Sequence, residues 1–206
     1  MCGIIGYVGK KAASPILLEG LRRLEYRGYD SAGLAVLADG KLAVRKRLGR
    51  IDAGLAPLLA EQPAPGSPGI AHTRWATHGI PSDANSHPHL DAAGRLAIVH
   101  NGVIENCDAL KQRLRRAGPQ FLSDTDTEVL AHLIGHHCAA QPLSGPDALT
   151  RAVAAALREV IGTYGLAVLS ADHPDKQSIV TWGKKLGKKG LIKIEKRGRE
   201  KFWKKV

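Results

Sequence analysis

Short apolar runs with β-favouring residues alternate along the chain with segments of helical periodicity. The first run, residues 2–8, is bounded by glycine, which is typical of a strand. Residues 33–38 and 41–47 flank Asp39-Gly40, a dipeptide that favours a tight hairpin. Comparable runs predict further strands at residues 69–73, 96–100, 165–170 and 178–181.

Four helices are predicted between these strands. Ser14-Pro15 is expected to open the first, with serine as the cap and proline in the first turn. Residues 106–118 form the second, and Thr125-Asp126-Thr127-Glu128 is a capping box that predicts the start of the third. An apolar stripe over residues 148–160 predicts the fourth. Hairpin strands with interspersed helices indicate an α+β layer fold with mainly antiparallel sheets.

Composition is consistent with a globular domain and excludes several classes. The 206 residues fit one domain, and 44% apolar residues suffice for a core. No apolar run approaches 18 residues, so we expect no membrane-spanning helix, and the N-terminus does not resemble a secretory signal. Three widely spaced cysteines do not suggest a disulfide framework, so a cytoplasmic, reducing location is expected.

The positive charge is concentrated at the C-terminal end. The net charge is +11, and residues 184–206 contribute +9 of it through eleven Lys or Arg and two Glu. The preceding 183 residues are therefore nearly balanced. A Lys-rich stretch of this kind is usually solvated or disordered, and any nucleic-acid contact would belong to it and not to the domain.

Cys2 is the most informative single residue. Initiator methionine is removed when the next side chain is small, which would leave Cys2 with a thiol and a free α-amine on one Cα. The thiolate is a strong nucleophile, and the amine, with a pKa of about 7.7–8, is a base near neutral pH. The alternative is an inert, buried cysteine.

Five motifs carry a resemblance to a known family. The sequence is similar to the N-terminal glutaminase domain of the glutamine–fructose-6-phosphate aminotransferases, which are class II glutamine amidotransferases of the N-terminal-nucleophile family. The match spans residues 1 to about 180. The motifs are Cys2-Gly3-Ile4, Leu24-Glu25-Tyr26-Arg27-Gly28-Tyr29-Asp30-Ser31-Ala32-Gly33, His72-Thr73-Arg74-Trp75-Ala76-Thr77-His78-Gly79, His100-Asn101-Gly102 with Ile104-Glu105-Asn106, and Thr125-Asp126-Thr127-Glu128.

The resemblance implies a four-layer αββα sandwich and a thioester mechanism that releases ammonia from glutamine. Cys2 would be the nucleophile, and Arg27 would lie near it. Asn101 and Gly102 would form the oxyanion hole, for which an amide and a glycine N–H are suitable donors. From the dipeptide alone, Asn-Gly is also typical of a hairpin turn.

The resemblance also implies a clamp for free glutamine. Arg74 would grip the α-carboxylate and Asp126 the α-ammonium, while Trp75, Thr77 and His78 would line the pocket. From the residues alone, Asp126 could simply stabilise a helix N-terminus, Trp75 could pack in the core, and Arg27 could sit at a helix end.

Other candidate sites are weaker. His132 and His136 are four residues apart on a helix, followed by His137-Cys138, but the H-E-x-x-H pattern is absent and no metal site is expected. His87 and His89 are expected in a loop near the substrate. Cys107 and Cys138 are expected to be packing residues. No phosphate-binding glycine loop is present, and no cofactor is expected.

After residue 181 the family pattern stops. We expect residues 1–181 to be a C-terminally incomplete glutaminase domain and residues 182–206 a Lys-rich, non-matching tail, with reduced stability because closing strands would be missing. In a full-length family member, the ammonia would pass to a sugar-phosphate isomerase domain that binds fructose 6-phosphate and makes glucosamine 6-phosphate. The alternatives are the glutaminase domain of another class II amidotransferase, or an inactive fragment whose basic tail binds anions or nucleic acid.

Overall fold

The computed structural model describes residues 2–76, 79–140, 147–172, 179–184, 192–197 and 200–205. Within these ranges, no helix is long and apolar enough to cross a lipid bilayer. The elements are β1 Gly3–Val8, α1 Ala13–Leu24, a 3₁₀ turn Glu25–Arg27, β2 Ser31–Ala38, β3 Lys41–Leu48, α2 Leu55–Glu61, β4 Gly69–Arg74, β5 His89–Leu90, β6 Leu96–Ile104, α3 Cys107–Arg116, α4 Asp126–Ala140, α5 Ala148–Arg158, β7 Gly162–Ser170, β8 Ile179–Lys184, β9 Ile192–Arg197 and β10 Glu200–Lys205.

The strands form two sheets. The first has the order β3-β2-β4-β1-β10-β9 and the second β5-β6-β7-β8. Every pair of neighbouring strands described in them is antiparallel. The predicted α+β class with antiparallel sheets is confirmed.

Three apolar cores separate four layers. On β2, Leu34 and Val36 pack against α1 and α2, whereas Ala35 and Leu37 belong to the core between the sheets. The same alternation on β6 directs Ile98 toward α3, α4 and α5 and Val99 toward the first sheet. Because successive strand residues point to opposite faces, each sheet is covered on both sides. The predicted four-layer αββα sandwich is therefore confirmed.

The hairpin predicted at Asp39-Gly40 joins β2 to β3. Asp39 has φ 50° and Gly40 has φ 71°, the left-handed conformation that a tight two-residue turn requires. The predicted serine cap is wrong, since α1 begins at Ala13 with Ala12 as its cap. Ser14 lies in the first turn, where its hydroxyl donates to the carbonyl of Ala64 and attaches the helix to the loop before β4.

Only half of the predicted capping box forms at α4. Thr125 Oγ1 accepts a hydrogen bond from the Glu128 N–H at 3.3 Å. The Glu128 carboxylate instead accepts the N–H groups of Leu122 and Ser123, at 2.8 and 2.7 Å. The Glu128 carboxylate therefore holds the loop before α4 in place, because the N–H groups that it accepts belong to that loop and not to the helix.

The C-terminal residues contribute strands to both sheets, which differs from the expected solvated tail. β8 pairs with β7, and β10 pairs with β1 through Gly6↔Trp203 and its neighbours. β1 is consequently an interior strand. In β9, Ile192 and Ile194 alternate with Lys193 and Glu195, and this short period-two pattern is typical of a strand. The division of the chain at residue 181 stays a prediction.

Candidate active site

Strand parity brings the predicted site residues to one place. Ile4, Ile70 and Val99 face the core between the two sheets. Cys2, His72 and Asn101 stand two residues further along the same strands or their extensions, and therefore face the same space. Polar side chains thus replace the apolar ones at one end of the inter-sheet core, and the site lies there.

Cys2 is held at this end by the strand that follows it. Gly3 pairs with Thr73 on β4, and its N–H donates to Thr73 Oγ1 at 3.1 Å. A Cβ on Gly3 would come within 2.8 Å of the Leu24 side chain and 2.9 Å of Thr73 Oγ1, so only glycine fits here. The chain start is fastened where most termini fray.

The Cys2 thiol is partly exposed and contacts the backbone of Trp75. The Trp75 N–H donates to Cys2 Sγ at 3.1 Å, and Sγ lies 3.5 Å from the Trp75 carbonyl oxygen. The sulfur thus accepts a hydrogen bond from the backbone of the residue that follows β4. The thiol is thus both accessible and provided with a donor.

Asn101 and Gly102 lie inside β6, so the hairpin-turn alternative is wrong. Asn101 Nδ2 donates to the Cys2 carbonyl oxygen at 3.0 Å, and Asn101 Oδ1 lies 2.9 Å from His72 Nε2. Gly102 has φ 144°, and a Cβ there would lie 2.0 Å from the Thr163 carbonyl oxygen. This backbone geometry excludes any other residue at position 102.

A buried cation and a buried carboxylate flank the space. Arg74, at the end of β4, is 3% exposed, and its Nη2 donates to the Gly79 carbonyl oxygen at 3.1 Å. Burial lowers the pKa of Arg74, while the charges of Cys2, Asp30 and Asp126 raise it. Asp126, in the first turn of α4, is 7% exposed and accepts the Ile104 N–H at 2.9 Å. Asp126 therefore bonds to β6 as well as standing at the N-terminus of α4.

The remaining predicted residues differ in their placement. Trp75 is 45% exposed and meets Tyr29 edge-to-face with ring centroids 5.4 Å apart, so the core-packing alternative is wrong. Arg27 lies in the 3₁₀ turn, and its buried Nε has no hydrogen-bond partner among the residues that the structure describes. Thr77 and His78 lie outside the described residues.

Sequence reasoning missed the residues that shape the chain around Trp75. Asp30 Oδ2 accepts the Ala76 N–H at 2.7 Å, and the Asp30 N–H donates to the Arg74 carbonyl oxygen at 3.1 Å. A Cβ on Gly28 would lie 2.8 Å from the Arg74 carbonyl carbon. Both residues belong to the Tyr-Arg-Gly-Tyr-Asp-Ser stretch of the second motif. Their place in that motif was the signal that could have identified them as site residues.

Four histidines form a buried cluster behind the site, rather than an open loop: His72, His87, His89 and His100. The rings of His72 and His87 lie 4.1 Å apart, and those of His87 and His89 lie 4.9 Å apart. Thr127 Oγ1 lies 2.8 Å from His87 Nε2 and 3.0 Å from His100 Nδ1. Burial lowers the pKa of His72 to about 4 and that of His89 to about 3, so these rings are neutral at pH 7.

The other cysteines and histidines have different surroundings. Cys107 and Cys138 pack beside the core of α3, α4 and α5, and burial raises the pKa of each thiol, that of Cys138 to about 11. Neither is suited to nucleophilic attack at neutral pH. His132 packs on Phe121, and His137 Nε2 lies 2.6 Å from a Glu159 carboxylate oxygen.

Comparison with known proteins shows which family this chain is similar to. The profile of the "Glutamine amidotransferase domain" family matches residues 72–203. Glutamine–fructose-6-phosphate aminotransferase [isomerizing] of Pyrococcus horikoshii is 50% identical over 176 residues, and that of Symbiobacterium thermophilum is 51% identical over 176 residues. Each alignment covers 85% of this chain and 28% of the relative, so the chain spans little more than a quarter of these relatives' length.

Two solved structures share the fold. Glutamine phosphoribosylpyrophosphate amidotransferase of Bacillus subtilis superposes with a TM-score of 0.75 at 27% identity. A structure described as the allosteric regulatory enzyme of purine biosynthesis gives 0.79 at 28% identity. Each match covers 98% of this chain and 41% of the other. The family profile matches more than half of the chain, and the chain therefore belongs to the glutamine amidotransferase domain family.

Proposed function

We propose that this chain hydrolyses the side-chain amide of L-glutamine, with Cys2 as its nucleophile. The observation that carries the proposal is the convergence at one end of the inter-sheet core. There, Cys2 Sγ receives the Trp75 N–H and the Cys2 carbonyl receives Asn101 Nδ2, within the electrostatic reach of Arg74. A nucleophile, a neutral donor and charged groups of both signs are the components that acyl transfer from an amino acid requires.

The reaction requires removal of Met1, which frees the Cys2 α-amine. The α-amine takes the proton of the Cys2 thiol as the sulfur attacks the amide carbon, and the carbonyl π electrons move to oxygen. The carbonyl then re-forms as the α-ammonium protonates the departing nitrogen and the C–N bond breaks. Ammonia leaves, and the acyl group remains on Cys2 as a thioester. The α-amine then deprotonates a water molecule, which attacks the thioester. The C–S bond breaks, glutamate is released, and the Cys2 thiolate takes the proton back from the α-ammonium.

Asn101 and Gly102 stabilise the negative oxygen of both tetrahedral intermediates. The Asn101 amide already points Nδ2 at the Cys2 residue, and the glycine supplies a backbone N–H beside it. Neutral donors in a site with little water are effective because they are already oriented. One such donor is typically worth about 2.7–4 kcal/mol of the barrier.

Arg74 and Asp126 recognise the amino-acid end of glutamine. The guanidinium binds the α-carboxylate in a bidentate pair, and the carboxylate binds the α-ammonium. Their burial strengthens both interactions, since little water competes. Trp75, Thr77 and His78 line the pocket, and Arg27 orders the chain near Cys2.

The ammonia serves glucosamine 6-phosphate synthesis. It passes to a sugar-phosphate isomerase domain that binds fructose 6-phosphate, which the relatives' extra length would provide. Support comes from the 50–51% identity to glutamine–fructose-6-phosphate aminotransferases, against 27–28% to the two solved structures. The greater similarity favours this acceptor over phosphoribosylpyrophosphate.

A glutaminase assay on the purified 206-residue chain tests the proposal. Intact mass first establishes that Met1 is absent, and circular dichroism that the protein is folded. Wild type and Cys107→Ala should release glutamate from glutamine, while Cys2→Ala should release none. A glutamine-analogue electrophile should label Cys2 alone on mass mapping. Absence of glutamate from folded, Met1-free protein, or activity in Cys2→Ala, would contradict the proposal.

A further inference from the structure

The Asn101 amide lies between two groups with different hydrogen-bonding requirements. On one side is the Cys2 carbonyl oxygen, 3.0 Å from Nδ2, and on the other is His72 Nε2, 2.9 Å from Oδ1. A carbonyl oxygen can only accept, so the NH₂ group must face Cys2. Oδ1 then faces His72, and it requires a donor there.

The requirement fixes the protonation of the His72 ring. The His72 side chain is completely buried, and burial lowers its pKa to about 4, so the ring is a neutral imidazole with one N–H. That proton must be on Nε2 if the ring is to donate to Asn101 Oδ1. With the proton on Nδ1, the amide would turn over, and its oxygen would face the Cys2 carbonyl oxygen, which is repulsive.

The surroundings hold this ring in place. His72 pairs on both sides within the first sheet, with Ile4 on β1 and Gly33 on β2. Its ring stacks on His87 at 4.1 Å with a tilt of 35°. His87 is itself bonded through Nε2 to Thr127 Oγ1 at 2.8 Å. The sheet and the second ring thus fix the orientation of the His72 imidazole. If the Asn101 amide rotated through half a turn, the ring could not reorient to bond to it.

We propose that His72 is a positioning residue that holds the Asn101 amide with its NH₂ group toward the reacting carbon. The inference rests on the proposed function, in which Asn101 donates to the negative oxygen. An amide turned over would present an oxygen lone pair to that charge. His72 thus acts through Asn101 and does not touch the substrate. Losing one oxyanion donor typically costs about 10²–10³-fold in kcat, and we expect His72→Leu to lose about 10²-fold with little change in KM.

The test is a double-mutant cycle on the Met1-free chain. His72→Leu and Asn101→Ala are measured singly and together, with glutamine as substrate. His72→Gln, whose Nε2 can reach Asn101 Oδ1, should recover most of kcat. In the Asn101→Ala background, His72→Leu should add less than about threefold. His89→Leu is the matched control, since His89 lies in the same cluster but bonds to Thr125 at 3.0 Å.

Two further readouts separate positioning from damage to the fold. Iodoacetamide alkylates a thiol without an oxyanion, so its rate at Cys2 should be the same in wild type and His72→Leu. Multiplicative losses in the cycle, an unchanged kcat in His72→Leu, or equal losses in His89→Leu would overturn the proposal.

A measurement on wild type decides the orientation if a variant fails to fold. Nitrogen-15 spectra of the histidine rings should show the His72 proton on Nε2, and a proton on Nδ1 would overturn the proposal. This readout needs no activity. If the folded, Met1-free chain releases no glutamate, the proposed function fails, while the spectrum still shows whether His72 holds the amide in the stated orientation.

Discussion

Acidification from pH 7 to pH 5 should destabilise the fold, because three histidines are buried as neutral rings. Burial lowers the pKa of His72 from 6.5 to about 4, that of His89 to about 3, and that of His87 well below 6.5. In the unfolded chain the same rings titrate near 6.5. The unfolded state therefore binds protons in this range that the folded state does not, and the free energy of unfolding falls as the pH falls.

The magnitude follows from the distance below the unfolded pKa. At pH 5 each ring lies about 1.5 pH units below 6.5, and one unit corresponds to about 1.4 kcal/mol. His72 and His89 thus cost about 2 kcal/mol each, or about 4 kcal/mol together, and His87 adds to this loss in the same direction. Small domains have a total stability of about 5–15 kcal/mol, so the chain should approach unfolding at pH 5.

The buried carboxylate of Glu128 contributes little to the change in the free energy of unfolding between pH 7 and pH 5. Burial alone would raise the pKa of Glu128, but the hydrogen bonds it accepts, including those from Leu122 and Ser123, lower it to about 2. Its stabilising contribution is present above its unfolded value of 4.5 and is lost only as the pH falls below that toward 2. Between pH 7 and pH 5 the change should therefore come from the histidines.

Urea denaturation followed by circular dichroism at pH 7 and pH 5 measures the effect. His89→Gln should reduce the pH-dependent loss by about 2 kcal/mol. His136→Gln is the control, because His136 is exposed on α4 and should leave the loss unchanged. Equal free energies of unfolding at both pH values, or a full loss in His89→Gln, would refute the reasoning.

Three other substitutions have defined outcomes. Gly102→Ala should lower the free energy of unfolding, measured in urea, by more than about 2 kcal/mol. Gly40→Ala is the control, because its φ is also positive but nothing lies within 4 Å of an added Cβ, and it should cost about 1–2 kcal/mol. Equal losses would contradict a clash with Thr163. Thr127→Val removes the hydroxyl that bonds to two buried imidazole nitrogens, His87 Nε2 and His100 Nδ1. It should lower Tm in a thermal scan, at a cost of about 1–3 kcal/mol of stability per hydrogen bond lost, and an unchanged Tm would refute the network. Arg74→Lys should raise KM for glutamine about 10-fold or more in steady-state kinetics, with a smaller change in kcat. The reason is that an ammonium group cannot form a bidentate pair with the α-carboxylate of glutamine. An unchanged KM would contradict the role of Arg74 in binding glutamine.

Local patterns predicted the elements that depend on local chemistry. The Asp39-Gly40 hairpin forms because both residues tolerate positive φ, and the apolar runs became strands because each sheet is buried on both sides. Motif recognition singled out Arg74, Asn101 and Asp126, whose roles stay predictions. Their convergence, however, depends on the pairing of β1 with β4 and on the packing of one sheet against the other.

Features that depend on long-range contacts could not be predicted. Ser14 has the sequence signature of a cap, but the carbonyl of Ala64, fifty residues away, takes its hydroxyl. Trp75 is a large apolar residue whose exposure is set by Asp30 and the chain turn after β4. The sequence around His87 and His89 is typical of a loop. The burial of His87 depends on contacts such as its hydrogen bond to Thr127, forty residues further along the chain. Residue type alone gives no indication of such partners.

The position of β1 in its sheet has a consequence for the order of events during synthesis. Its neighbour on one side, β4, lies about seventy residues later in the chain, whereas its neighbour on the other side, β10, ends at Lys205. The strand behind Cys2 is thus enclosed on both sides only after Lys205 has left the ribosome. Until then the N-terminus is not enclosed by β10, so the removal of Met1 that the proposed function requires can take place before the sheet closes around β1.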